Sequence, residues 1–147
     1  MHNLNSKEKR QARITALQAI YAQEFSGSDQ NTTFKYMLDP ENIPWENVIT
    51  YSRHLFALTM THISETDELI KNRSKNWAIE RITILDRLIL RMSLAEMLYE
   101  DEVPPKVSIT EGVEIAKQFS TSDSSSFING ILDSVYNDLV KGKKKAV

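Results

Sequence analysis

Residues 84–100 carry Ile84, Leu85, Leu88, Ile89, Met92, Leu94, Ala95, Met97 and Leu98, with no glycine or proline among them. Wound at about 3.6 residues per turn, these side chains cover more than half of a helix's circumference. Such a helix cannot rest on a surface with one side wet; it has to be surrounded. The stretch therefore dictates a bundle in which other helices wrap a central one.

The flanking sequence supplies the wrapping. Asn5 and Glu8 have capping-box spacing. Ile14, Leu17, Tyr21 and Phe25 follow at steps of three and four as one apolar stripe, and Gly27 is a natural stop. Residues 32–38 predict a short helix, and residues 39–44, with two prolines, a loop. Residues 45–73 contain no glycine or proline. Val48, Ser52, Leu55, Thr59, His62, Thr66 and Leu69 lie there on a near-heptad line, which predicts one long helix or two. Residues 72–76 read as a polar joint and residues 77–82 as a short helix. Pro104-Pro105 is a firm break. Ser108 and Glu111 have capping-box spacing and are expected to open a helix with Val113, Ile115, Ala116 and Phe119. A turn over residues 120–123 offers a second N-cap, and the last helix carries Phe127, Ile128, Ile131, Leu132, Val135 and Leu139.

Four glycines and four prolines in 147 residues leave few tight turns, and no β-alternation of useful length is present. The expected fold is all-α, a compact bundle of six or seven helices. The length suits one domain, residues 1–140, followed by a basic, disordered tail at 141–147.

Several function classes are disfavoured. The chain has no cysteine, so disulfides and cysteine-ligated zinc are excluded. No apolar run approaches the roughly 20 residues that span a bilayer, and the N-terminus lacks a signal-peptide core; a cytoplasmic protein without membrane contact is expected. The histidines are His2, His54 and His62. His62 sits on a helix seam and reads as packing, and its pairing with Glu65 supplies too few ligands for a metal. Glu111 and Glu114 read as a capping and a solvated carboxylate. No glycine-rich phosphate loop is present. The chain reads as a binding protein rather than an enzyme, with no metal or cofactor.

Charge is segregated. Lys7, Lys9, Arg10 and Arg13 oppose Glu8 at one end, and Lys141, Lys143, Lys144 and Lys145 oppose Asp138 at the other. With a net charge of -2 overall, the body between them is acidic. Anion binding is therefore local, and the body repels nucleic acid elsewhere. The C-terminal lysines read first as a solvated tail and, alternatively, as extra phosphate contacts. Cations at a helix N-terminus are unfavourable without an anion nearby. Arg10 and Arg13 are expected to present planar forks that suit phosphates or base edges.

Four sequence blocks follow one another in order. The first is Arg10-Gln11-Ala12-Arg13, continued by Gln18-Ala19-Ile20-Tyr21. The second is Leu85-Asp86-Arg87-Leu88-Ile89-Leu90-Arg91. The third runs from Val103-Pro104-Pro105 through Glu111, Glu114 and Ala116-Lys117, and the fourth is Phe127-Ile128-Asn129-Gly130-Ile131-Leu132-Asp133. These four blocks in this order resemble the NusB family, and the resemblance is weakest over residues 28–76. It implies two packed helical subdomains and a transcription antitermination factor. It also implies binding of the single-stranded boxA element of ribosomal RNA transcripts, together with the small-subunit ribosomal protein NusE, in an RNA polymerase antitermination complex.

The resemblance assigns Lys9, Arg10, Arg13, Gln18, Tyr21, Asp123 and Phe127 to RNA and Asp86 to NusE. Arginine and lysine suit phosphates, and Tyr21 and Phe127 suit unpaired bases. Tyr21 also fits the core stripe, Asp123 also fits an N-cap, and Asn129-Gly130 fits close helix packing. The motif departs from an arginine-rich version at Gln11, and Ser124-Ser125-Ser126 stands where more basic residues are expected, which implies weaker RNA affinity or greater dependence on NusE. The alternatives are a protein-interaction scaffold, including a homodimer, without an RNA role, and the RNA-binding portion of a ribosomal RNA cytosine methyltransferase.

Overall fold

The computed structural model describes residues 4–27, 46–74 and 82–141. All of their regular structure is helical, with no strand among the described residues. The helices are α1 (Ser6–Ser26), α2 (Glu46–Thr61), α3 (Ile63–Arg73), α4 (Ile84–Tyr99), α5 (Pro105–Phe119) and α6 (Ser122–Val135). A π-helical segment, Tyr136–Lys141, extends α6. The chain divides into two compact units between Thr61 and His62. The expected helix at 32–38, the loop at 39–44, nearly all of the helix at 77–82, part of the joint at 72–76, His2 and the lysines at 143–145 lie outside the described residues.

In the first unit, α1 begins as its capping residues dictate. The Glu8 amide donates to Asn5 Oδ1 at 2.8 Å, and the Asn5 amide donates to Glu8 Oε1 at 3.1 Å. The helix ends at Gly27, whose φ of 63° is left-handed. The buried face differs from the expected stripe. Ala12, Thr15, Ala16, Leu17, Ala19 and Ile20 are buried, whereas Tyr21 and Phe25 are exposed. The alanines let α2 approach closely, and Ser52 Oγ on α2 donates to the Ala12 carbonyl at 2.8 Å. Tyr51, Leu55 and Phe56 complete this core.

The run 45–73 is two helices. The break is at His62, which precedes α3 with φ −112° and ψ 25°. In the second unit, α4 is central as its composition requires. Every residue from Leu88 to Met97 is buried, including Arg91, Ser93 and Glu96. Each of these three polar side chains meets a neighbouring helix. Arg91 holds Asp67 of α3 through Nε to Oδ1 at 2.7 Å and Nη2 to Oδ2 at 2.8 Å. Glu96 Oε1 accepts from Ser108 Oγ of α5 at 2.8 Å. A β-carbon on Gly112 of α5 would collide with Ser93 Oγ. The sequence places that close approach at Gly130 instead, where a β-carbon would meet nothing.

The start of α5 also corrects the sequence reading. Pro104 is the N-cap and Pro105 the first helical residue, the position where a missing amide hydrogen does no harm. Ser108 thus lies inside the helix, and its hydroxyl serves Glu96 instead of capping. Thr121 caps α6 by accepting from the Ser124 amide at 3.1 Å, which leaves Asp123 in the first turn as a non-capping residue.

Candidate nucleic-acid interface

The long exposed face of α1 is set by the alanines on its opposite side. At ~100° per residue, Lys7, Arg10, Gln11, Ile14, Gln18, Tyr21 and Phe25 fall on one strip. Ile14 is half-buried and the other six are exposed. From Lys7 to Phe25 the strip runs about 27 Å at a rise of 1.5 Å per residue. It is cationic and polar towards the N-terminus and aromatic at the C-terminal end. There the Tyr21 and Phe25 rings lie 4.9 Å apart, tilted by 53°.

This geometry sorts the expected RNA contacts of α1. Arg10, Gln18 and Tyr21 lie on the strip. Tyr21, which from sequence fits either packing or ligand contact, is 45% exposed and outside the core. Lys9 and Arg13 turn the other way. Lys9 is half-buried, and Arg13 is only 2% exposed and engaged within the molecule. The expectation that Arg13 presents an open fork is corrected: it shares the side of the helix that carries Ile20. Sequence reasoning misses Lys7, Gln11 and Phe25. Their signal is the phase of Ala12, Ala16 and Ala19, which marks the opposite side as the close-packed one.

The remaining candidates belong to the second unit. Asp86 is 5% exposed, and its Oδ1 accepts from Ser120 Oγ at 3.1 Å. It occupies the first turn of α4, where Thr83 caps the helix by accepting from the Asp86 amide at 3.3 Å, and the helix dipole favours a carboxylate there. Asp86, which the resemblance assigns to NusE, is a largely buried carboxylate that ties the start of α4 to the corner between α5 and α6. Asp123 is exposed and Phe127 half-buried in the first turns of α6, just beyond that corner. Asp86, Asp123 and Phe127 thus gather at one end of this unit.

The other end of α4 carries different chemistry. A groove of about 700 Å³ has an apolar lining that includes Leu69, Met97 and Leu139, with Glu65, Glu68, Glu100 and Asp101 around it. These carboxylates repel phosphates. His62 stacks on Tyr99 at 3.6 Å between ring centroids, 9° from parallel, and its Nδ1 lies 3.8 Å from Glu65 Oε2. Burial, and secondarily the Glu65 carboxylate, raises the Tyr99 pKa above the usual value of 10.0. Among the described residues no group of three or more acidic or histidine side chains is placed to hold a metal, and no helix is long and apolar enough to cross a membrane.

Comparison with known proteins agrees with this architecture. The chain is 39% identical over 145 residues to transcription antitermination protein NusB of Symbiobacterium thermophilum, covering 94% of this chain and 92% of that one. It is 37% identical over 131 residues to the NusB of Salinibacter ruber, covering 89% and 82%. Among solved structures it superposes on T. maritima NusB with a TM-score of 0.81 and 28% identity, over 95% of this chain and 97% of that one. It also matches a chain from a complex of antitermination factors NusB and NusE with double-stranded RNA, with a TM-score of 0.80 and 25% identity over 90% and 98%. The NusB family profile spans residues 10–137, from the first arginine of the exposed strip to the π-helical segment, so this chain belongs to the NusB family.

Proposed function

We propose that this protein is a non-enzymatic, cytoplasmic transcription antitermination factor that binds a boxA-type RNA single strand together with NusE and supports ribosomal RNA transcription. The observation that carries this reading is the exposed strip of α1. Phosphate-binding cations and base-stacking aromatics share one face of one rigid helix, the combination that single-stranded nucleic acid requires. Family membership and the RNA- and NusE-containing complex of a structural relative support the same assignment.

In this reading Arg10 and Lys7 supply the electrostatic attraction on the strip and the half-buried Lys9 adds charge from the other side of the helix, with Gln18 and Tyr21 contacting bases. Arg13 acts from beneath, holding the helix rather than the ligand. Asp123 and Phe127 join the RNA contacts of the second unit. Asp86 serves NusE by fixing the shape of the corner at Ser120. Ser124, Ser125 and Ser126 add no charge there, so NusE carries a larger share of the affinity.

A gel shift with boxA RNA, with and without NusE, tests the reading. The expected result is a shift that weakens with salt and strengthens when NusE is added. Absence of any shift at low salt with NusE present would overturn it.

A further inference from the structure

We propose that Tyr21 and Phe25 together form a stacking platform for unpaired bases, so that Phe25 contacts RNA one helical turn beyond Tyr21. The inference rests on the RNA-binding reading and specifies where along α1 the strand runs.

Phe25 is 61% exposed and Tyr21 45%. Single apolar residues on a surface are ordinary. Here two aromatic rings are neighbours at 4.9 Å, on the strip that carries Lys7 and Arg10, and neither contributes to the packed face of its own helix. The 53° tilt keeps them from forming a closed sandwich and leaves ring faces open to a third flat group. Every base has such a face, and stacking on aromatics tolerates any sequence.

Charge favours a nucleic acid over a protein as the occupant. The cations at the N-terminal end of the strip complement a phosphate chain, and the chain's bases then reach rings farther along the same helix. An unpaired strand is required, because bases inside a duplex cannot turn a face to a side chain. Gln18 lies between the cationic and aromatic ends and can hydrogen-bond a base edge.

The test uses the full chain and boxA RNA carrying a fluorescent purine analogue at successive positions. With the wild type, fluorescence is quenched at one or two adjacent positions by stacking. Phe25→Ala and Phe25→Leu are expected to restore that fluorescence and weaken binding about 5- to 50-fold. Phe25→Trp is expected to keep both affinity and quenching, and all three variants to melt as the wild type does. The platform is overturned if Phe25→Ala leaves affinity and quenching unchanged while Arg10→Ala weakens binding; RNA binding by α1 then stands without it. It is also overturned if Phe25→Ala weakens capture of NusE in the absence of RNA, which would assign this face to a protein. If the wild type binds no RNA, the broader reading fails first.

Discussion

Arg10 and Arg13 are three residues apart on α1 and face different surroundings: Arg10 is exposed, and Arg13 is 2% exposed. The two positions of one basic motif therefore do different work. Arg10→Ala is expected to leave the melting temperature unchanged and to weaken RNA binding. The slope of log affinity against log salt should flatten by about 0.7 for each phosphate that Arg10 no longer neutralises. Arg13→Ala is expected to cost about 1–3 kcal/mol of stability, because a long side chain that is only 2% exposed is removed together with its packing and internal contacts. Thermal melts and salt titrations of both variants separate the effects. Equal melting temperatures would contradict the burial of Arg13.

The packing of α4 against α5 is set at Gly112. Its Cα faces Ser93, with Ser93 Cβ 3.2 Å and Leu132 Cδ1 3.3 Å from where a β-carbon would stand. Gly112→Ala is expected to destabilise the fold by about 1–3 kcal/mol through overpacking. Adding Ser93→Gly should return much of that stability. Chemical denaturation of the single and double variants measures the coupling, and Gly130→Ala, with open space around it, is the control, expected to stabilise by up to about 1 kcal/mol because alanine suits a helix interior better than glycine.

Arg91 and Asp67 join α4 to α3 by two parallel hydrogen bonds, with side-chain exposures of 9% and 28%. The arginine is nearly buried, so removing the carboxylate takes away both of these charge-assisted bonds and the opposite charge beside it. Asp67→Ala is expected to cost about 2–4 kcal/mol, reduced from a fully buried pair by the partial exposure of Asp67. Asp67→Ala with Arg91→Met should be less destabilised than Asp67→Ala alone, as a double-mutant cycle would show.

Tyr99, 37% exposed, makes the fold modestly sensitive to alkaline pH. Burial and the nearby Glu65 carboxylate favour its neutral phenol, so its folded pKa lies above the unfolded value near 10.0. The associated stability is complete below that unfolded value and is lost as pH rises through the folded one. Spectrophotometric titration of the wild type against Tyr99→Phe should assign to Tyr99 an ionisation displaced above 10.0. In Tyr99→Phe, stability should fall less steeply with pH on the alkaline side.

The sequence is most legible where several physical demands coincide. Residues 84–100 have to be central because no polar face is available, and Leu88–Met97 are all buried. The Asn5–Glu8 box is readable because both of its hydrogen bonds are local. Readings fail where two local signals compete. Ser108 and Glu111 have capping spacing, but Pro104 and Pro105 start the helix earlier, and the serine finds its partner on α4. The stripe of Ile14, Leu17, Tyr21 and Phe25 resembles core because its residues are large. The packed side instead uses small residues, which allow the α2 backbone and Ser52 to come near. The same misphasing hides Phe25 from the candidate interface and turns Arg13 outward. Asp86 is recognisable as an unusual acid in an apolar helix, but its link to Ser120 spans 34 residues of sequence and is visible only in three dimensions.

Gly27 makes α1 a ruler of fixed length. Its left-handed φ of 63° halts the helix two residues beyond Phe25, while the Asn5–Glu8 box fixes the zero mark. A residue with a side chain at position 27 would meet a conformational penalty there. Were the winding to run on instead, each added residue would lengthen the scale by about 1.5 Å. On the proposed reading, the length of RNA that this edge can hold is therefore set by Gly27.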